Sequence, residues 1–146
     1  MNHDEIARRI PHAGRMCLLD TLLDWDATHI RCTATSHRAP DHPLATQGRL
    51  LAPVAIEYAA QAMALHGGLS APPGTPPEPG FLASARSVRL FVARLDDIDG
   101  ALVVSAERLA GDGQQAMYRF ALHDEAGRAL VEGRATVVLN QPLPQP

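Results

Sequence analysis

Between Leu50 and His66 six alanines, Ala52, Ala55, Ala59, Ala60, Ala62 and Ala64, are spread around most of a helical circumference. A helix that is small and apolar on nearly every side is a buried one, closely approached by other elements. Gly67-Gly68 follow it and, being free to adopt positive φ, are expected to end it. Such a helix needs a layer wrapped about it, and the flanking sequence supplies strands rather than further helices. Ile30, Cys32 and Ala34 alternate with Arg31, Thr33 and Thr35, the period-two pattern of a half-buried strand. Met16–Trp25 reads as its hairpin partner. After the helix, Phe81–Ala93, Ala101–Leu109, Gln115–His123 and Leu130–Leu139 read as strands separated by Asp-, Gly- and Ala-containing turns that favour antiparallel connections. Asp4–Ile10 suggests a short helix closed by Pro11. The expectation is α+β, with a sheet curled around one long helix.

Residues 36–49 show no periodicity and form a long loop entering the helix, and loops of that length inside a compact domain are commonly functional. Residues 71–80 contain five prolines and read as a linker or surface excursion. The 146 residues suit a single domain over 1–140, with 141–146 as a disordered tail. A hydrophobic fraction of 46% and a charged fraction of 20% are those of a soluble globular protein. The net charge of −3 gives no general attraction to nucleic acid or an anionic membrane, and all thirteen basic residues are arginine. Met1-Asn2-His3-Asp4-Glu5 lacks the basic start and apolar run of a secretory signal, and no apolar segment reaches the length of a membrane span. Cys17 and Cys32 fall in expected strands without a C-x-x-C spacing and read as reduced core residues of a cytoplasmic protein.

Against this background Glu57 stands out. A carboxylate on a buried helix must be paired, hydrogen-bonded or protonated, and desolvation raises its pKa toward the range a general acid needs. Gln61, one turn later, can hydrogen-bond it. A glutamate reaching solvent at a bend or dimer edge explains the residue equally well. His37 and His42 lie in the loop before the helix and titrate near neutrality, though a lone loop histidine is more often simply solvated. His66, at the expected helix end, would complement the helix dipole as a cation. His37, Asp41 and His42 match no standard metal-ligand spacing, so no metal and no cofactor is expected.

Ile10-Pro11-His12, Leu18-Leu19-Asp20, Ile56-Glu57-Tyr58-Ala59-Ala60-Gln61 and Gly80-Phe81-Leu82 with Val88-Arg89-Leu90 occur in the order of the corresponding segments of bacterial 3-hydroxyacyl-[acyl carrier protein] dehydratases. The chain resembles that hot-dog family from Ile10 to about Leu90, and in pattern only beyond it. Within the superfamily it most resembles the dehydratase-like proteins of aryl polyene gene clusters. The resemblance implies a hot-dog fold and an enzyme that dehydrates 3-hydroxyacyl thioesters on acyl carrier protein to trans-2-enoyl thioesters, in fatty-acid or polyene synthesis. It places Glu57 as the acid and His42 as the base, with His37 as the alternative base and Gln61 in support. It sets the substrate against Ala52, Pro53, Gly80 and Phe81, and implies a homodimer, or a heterodimer with a hot-dog homologue, whose sites combine a histidine of one subunit with the acid of the other.

Two segments depart from the family pattern. His42-Pro43-Leu44 replaces His-Phe-Pro with one residue inserted before Glu57, and Ala52-Pro53 replaces a Pro-Gly whose backbone N–H helps hold the thioester carbonyl. Two alternatives therefore stay open: a hot-dog acyl-thioesterase using Glu57 and water, and a non-catalytic acyl-binding subunit of a heterodimeric dehydratase. Arg86, Arg89 and Arg94 are candidates for docking an acidic carrier protein, although each alone also reads as ordinary solvated charge.

Overall fold

The computed structural model describes residues 1–10, 14–72, 80–112 and 114–139. A short helix α1 (His3–Ala7) precedes the hairpin β1 (Thr21–Trp25) and β2 (His29–Ala34). The long helix α2 (Ala55–Ser70) follows, then β3 (Gly80–Leu90), β4 (Leu102–Gly111), β5 (Gln115–His123) and β6 (Ala129–Leu139). Single 3-10 turns occupy Gly14–Met16, Ser36–Arg38 and Ala52–Val54. The six strands form one antiparallel sheet in the order β1-β2-β4-β5-β6-β3. The sheet packs around α2, the hot-dog arrangement.

Alternation decides which face turns inward. Ile30, Cys32 and Ala34 of β2, Leu102, Val104 and Ala106 of β4, and Ala116, Tyr118, Phe120 and Leu122 of β5 are all buried. They share a core with Ala55, Tyr58, Ala59, Ala62, Met63 and Leu65 of α2. The alanines keep the helix thin on the sides where strands approach, as the composition implied.

One contact sets the limit of this packing. Gly133 of β6 pairs with Phe120 of β5, and a Cβ added there would lie 2.7 Å from Phe120 Cζ and 3.1 Å from Val88 Cγ2. The Phe120 ring is buried and cannot swing away. Gly133→Ala is expected to destabilise the fold by about 1–3 kcal/mol, as overpacking generally does. A lowered urea midpoint with an unchanged m-value would be the signature.

Several expectations shift. The helix starts at Ala55 rather than Leu50, because Leu50–Leu51 are held out of the helix, and Ala52 at the head of a 3-10 turn, by Arg94 and its neighbours. Leu51 forms an isolated bridge with Arg94, Leu95 N–H donates to Leu50 O at 2.7 Å, and Ala52 N–H donates to Ala93 O at 3.0 Å. Gly67-Gly68 do not end the helix. Neither has positive φ, and Gly68 instead comes close to the Arg9 carbonyl. The stop is Ala71, extended at φ −75 and ψ 156, as a residue before proline prefers. The first strand starts at Thr21, so residues 16–20 lie outside it and Cys17 is a buried loop residue. The turn after β3 is no hairpin: β3 pairs with β6 and forms the far edge of the sheet, remote from β4. Pro11-His12, residues 73–79 of the proline-rich segment, the Phe81 side chain and the 141–146 tail lie outside what is described. No helix among the described residues is long and apolar enough to cross a membrane.

Candidate active site

Glu57 occupies the first turn of α2 and is half-buried, rather than sitting mid-helix in full burial. Gln61 on the next turn is wholly buried. Its Oε1 accepts Leu18 N–H at 2.8 Å, and its Nε2 donates to Met16 O at 2.6 Å and to Glu57 Oε1 at 3.3 Å. Gln61 thus binds the irregular segment before β1 to the helix and braces the carboxylate at the same time. The i, i+4 relation expected of the pair is present.

His42 is almost fully buried and lies across from Tyr58, the residue after Glu57. Both ring nitrogens are engaged. Leu44 N–H donates to Nδ1 at 3.0 Å, across the turn made by Pro43, and Nε2 lies 3.1 Å from Tyr58 Oη. Tyr58 Oη is in turn 2.7 Å from Ser36 Oγ, and the Ser36 hydroxyl donates to Leu18 O at 2.9 Å. Burial pushes the Tyr58 phenol up to about 12, so it stays protonated. Sequence reading missed Ser36 and Tyr58. The available signal was Tyr58 itself, since a tyrosine on a buried face requires a partner for its hydroxyl.

His37 is also buried. Its Nε2–H donates to Ile98 O at 3.0 Å, while Nδ1 has no hydrogen-bond partner among the described residues. Neither loop histidine is solvated. His66 is likewise a core residue, four positions before the end of α2, and not a cation at the helix terminus. Its Nε2–H donates to Asp26 O at 2.8 Å and its Nδ1 accepts the Tyr118 hydroxyl at 2.7 Å.

Burial lowers the pKa of all three histidines below the ordinary value, and for His42 the nearby His37 adds to it. A histidine whose folded pKa is depressed stabilises the fold above its unfolded pKa, and that stability is lost as pH falls through the folded value. The free energy of unfolding is therefore expected to drop as pH falls from about 7.5 to about 5, by about 1.4 kcal/mol per pH unit for each proton taken up on unfolding, and the urea midpoint to fall with it. Half-buried His29, whose pKa is raised by hydrogen bonds to Asp26 and Asp24, acts in the opposite sense, losing its contribution as pH rises. A midpoint that stays flat over this range would contradict neutral burial of the three.

An open cleft of about 440 Å³ reaches His42 and Ser36 from the surface. Cys17, His3, Arg15 and Asp41 also line it, and Arg15 Nη1 pairs with Asp41 Oδ2 at 3.1 Å on its exposed side. Burial raises the Cys17 thiol, and pushes Cys32 to about 12, so both are neutral thiols. Ala52 is buried and Pro53 is exposed. The N–H groups of Ala52, Val54 and Ala55 are spent on Ala93, Leu51, and Ala52 and Pro53 carbonyls respectively, so the 3-10 entry to α2 offers none of these three to a thioester carbonyl. Arg94 is committed to Asp96, which also accepts Leu50 N–H, whereas Arg86 and Arg89 are exposed on β3. No group of three or more His, Cys, Asp or Glu among the described residues is arranged to hold a metal ion.

The model of the ApeP-like family, described as ApeP dehydratase, matches residues 4–145. The chain belongs to that family. Among solved structures it is similar to the ApeI:P dehydratase heterocomplex of Xenorhabdus doucetiae, at 25% identity and a TM-score of 0.78, with 93% of this chain and 91% of that one covered. AziG of S. sahachiroi matches at 18% identity and a TM-score of 0.59, over 90% of this chain and 98% of that one. A thioesterase of Haemophilus influenzae matches at 14% identity and a TM-score of 0.60, over 85% and 80%. The last two likenesses establish the fold alone. No curated protein matches the sequence.

Proposed function

We propose that this ApeP-like chain is a cytoplasmic subunit of a dehydratase acting on 3-hydroxyacyl thioesters of an acyl carrier protein. The observation that carries this reading is the family match over nearly the whole chain; Glu57, braced by Gln61 on the first turn of α2, and His42, lining a cleft, support it. The base takes the proton α to the thioester carbonyl, and its C–H electron pair moves into an enolate. The acid protonates the β-hydroxyl, which leaves as water while the C=C bond forms. Glu57 is the acid of this scheme and His42 its base, with His37 less suited because its ring is buried and tied to Ile98 O. Two subunits complete the site. The open edge of β3 is where a second hot-dog domain would add its own strand, since an uncovered edge invites pairing.

A specific observation favours a second reading. Because both His42 nitrogens are bonded within the chain, this subunit would instead contribute Glu57 and acyl-binding surface while a hot-dog homologue contributes the base. The relative in Xenorhabdus, a heterocomplex, supports looking for such a partner.

The test is to incubate the chain, alone and with a candidate hot-dog partner, with a 3-hydroxyacyl carrier-protein thioester and to follow loss of water by mass spectrometry. Water loss abolished by His42→Ala supports the first reading. Water loss that needs the partner and survives His42→Ala supports the second. Release of free acid and carrier thiol in place of enoyl product would replace both with thioester hydrolysis.

A further inference from the structure

We propose that Tyr58 and Ser36 are positioning residues that fix the direction of a hydrogen-bond chain through His42, leaving Nδ1 as the only atom of its ring able to take a proton. The inference rests on the reading of His42 as the base.

The direction follows from the two ends of the chain. Leu18 O is a carbonyl and can only accept, so the Ser36 hydroxyl spends its proton there. Ser36 Oγ must then accept from Tyr58, and Tyr58 Oη, its proton used, must accept from His42 Nε2–H. At the other end Leu44 N–H can only donate, which makes Nδ1 the acceptor. The two ends favour the same Nε2–H tautomer and hold it jointly, so the loss of either weakens the preference. Four bonds agree, and reversing any one would set two donors or two acceptors against each other in a buried site.

The polarity has a chemical consequence. The α-proton of the substrate must pass to the Nδ1 lone pair, which gives up its bond from Leu44 N–H in exchange. The electron pair of the broken C–H bond goes into the enolate. The resulting imidazolium keeps Nε2–H on Tyr58 Oη, and the Leu44 N–H contact is the one that moves aside as the ring gains charge. After water has left, the ring returns its proton through solvent to the acid, and the site is restored. No further reactant is required.

The test labels the histidine rings of the full chain with ¹⁵N and reads the His42 tautomer at mildly alkaline pH, in the complex if the chain needs its partner. His42 is assigned by its absence in His42→Gln. The wild type is expected to show a single Nε2–H tautomer. Ser36→Ala frees the Tyr58 proton to point at Nε2, and Tyr58→Phe removes the acceptor, so both are expected to give a mixed population. Where turnover is measurable, Tyr58→Phe is expected to lower kcat by about 10- to 100-fold with KM little changed, the size of effect that misplacement of a reacting group produces. A wild-type ring found as Nδ1–H, or a Tyr58→Phe ring indistinguishable from wild type, overturns the proposal. Absence of turnover in every complex would overturn the dehydratase reading instead, and the tautomer would still decide the relay.

Discussion

Replacing Glu57 by glutamine is expected to slow water loss from a 3-hydroxyacyl thioester by about 10²- to 10⁴-fold, the usual worth of a positioned general acid. The substitution is close to isosteric. The glutamine carbonyl can still accept from Gln61 Nε2, and the site is only half-buried, so the packing around α2 has little reason to change. Under the proposed mechanism, what disappears is the proton that the leaving hydroxyl must receive. Unfolding in urea should be nearly unaffected, and Glu57→Asp, which keeps the acid but shortens its reach, should recover part of the rate. Full activity in Glu57→Gln would place the acid elsewhere. A lost rate accompanied by a lost fold would reassign Glu57 to structure.

Legibility in the sequence followed the kind of interaction involved. The bounds of β5 agree with the reading from Gln115 to His123, because inward Ala116, Tyr118, Phe120 and Leu122 alternate cleanly with outward neighbours and turn residues flank both ends. The Glu57–Gln61 pair was legible because helix geometry alone puts residues four apart side by side. The start of α2 was not. Leu50 to Ala52 look α-helical by composition, and their bonds to residues 93–95, far along the chain, keep them out of the α-helix. The same holds for the far edge of the sheet, since local turn chemistry after β3 says nothing of which strand β3 will pair with. His42, Tyr58 and Ser36 are brought together by the fold, and each reads in isolation as a loop or core residue. A rule that would have found them is the demand that every buried polar side chain have a partner. Applied to Tyr58 on an otherwise apolar helix face, it asks for a hydroxyl or imidazole from the preceding loop, and Ser36 and His42 are both there.

That same demand makes Gln61 the position where a nearly volume-conserving change should cost the fold most. Gln61→Leu fills the space but leaves Leu18 N–H without its acceptor and Met16 O without its donor, at a buried junction between the segment before β1 and the helix. Each backbone group so abandoned costs about 1–3 kcal/mol, so a loss of about 2–5 kcal/mol is expected, lowering Tm by about 5–15 °C for a chain of this size. The damage should also reach the chemistry. With the amide gone, Glu57 loses one hydrogen bond, and Leu18 O, the terminal acceptor of the chain that runs through Ser36 and Tyr58 to His42, sits on a loosened segment. Gln61→Glu separates the two effects. Its carboxylate can still accept Leu18 N–H, but it faces Met16 O and Glu57 with negative charge or with one proton for two acceptors. It should therefore be destabilised as well, and more strongly at high pH than at low. If Gln61→Leu unfolds at the same urea concentration as the wild type, the three bonds of Gln61 are not holding this junction together, and Glu57 must be positioned by its other contacts.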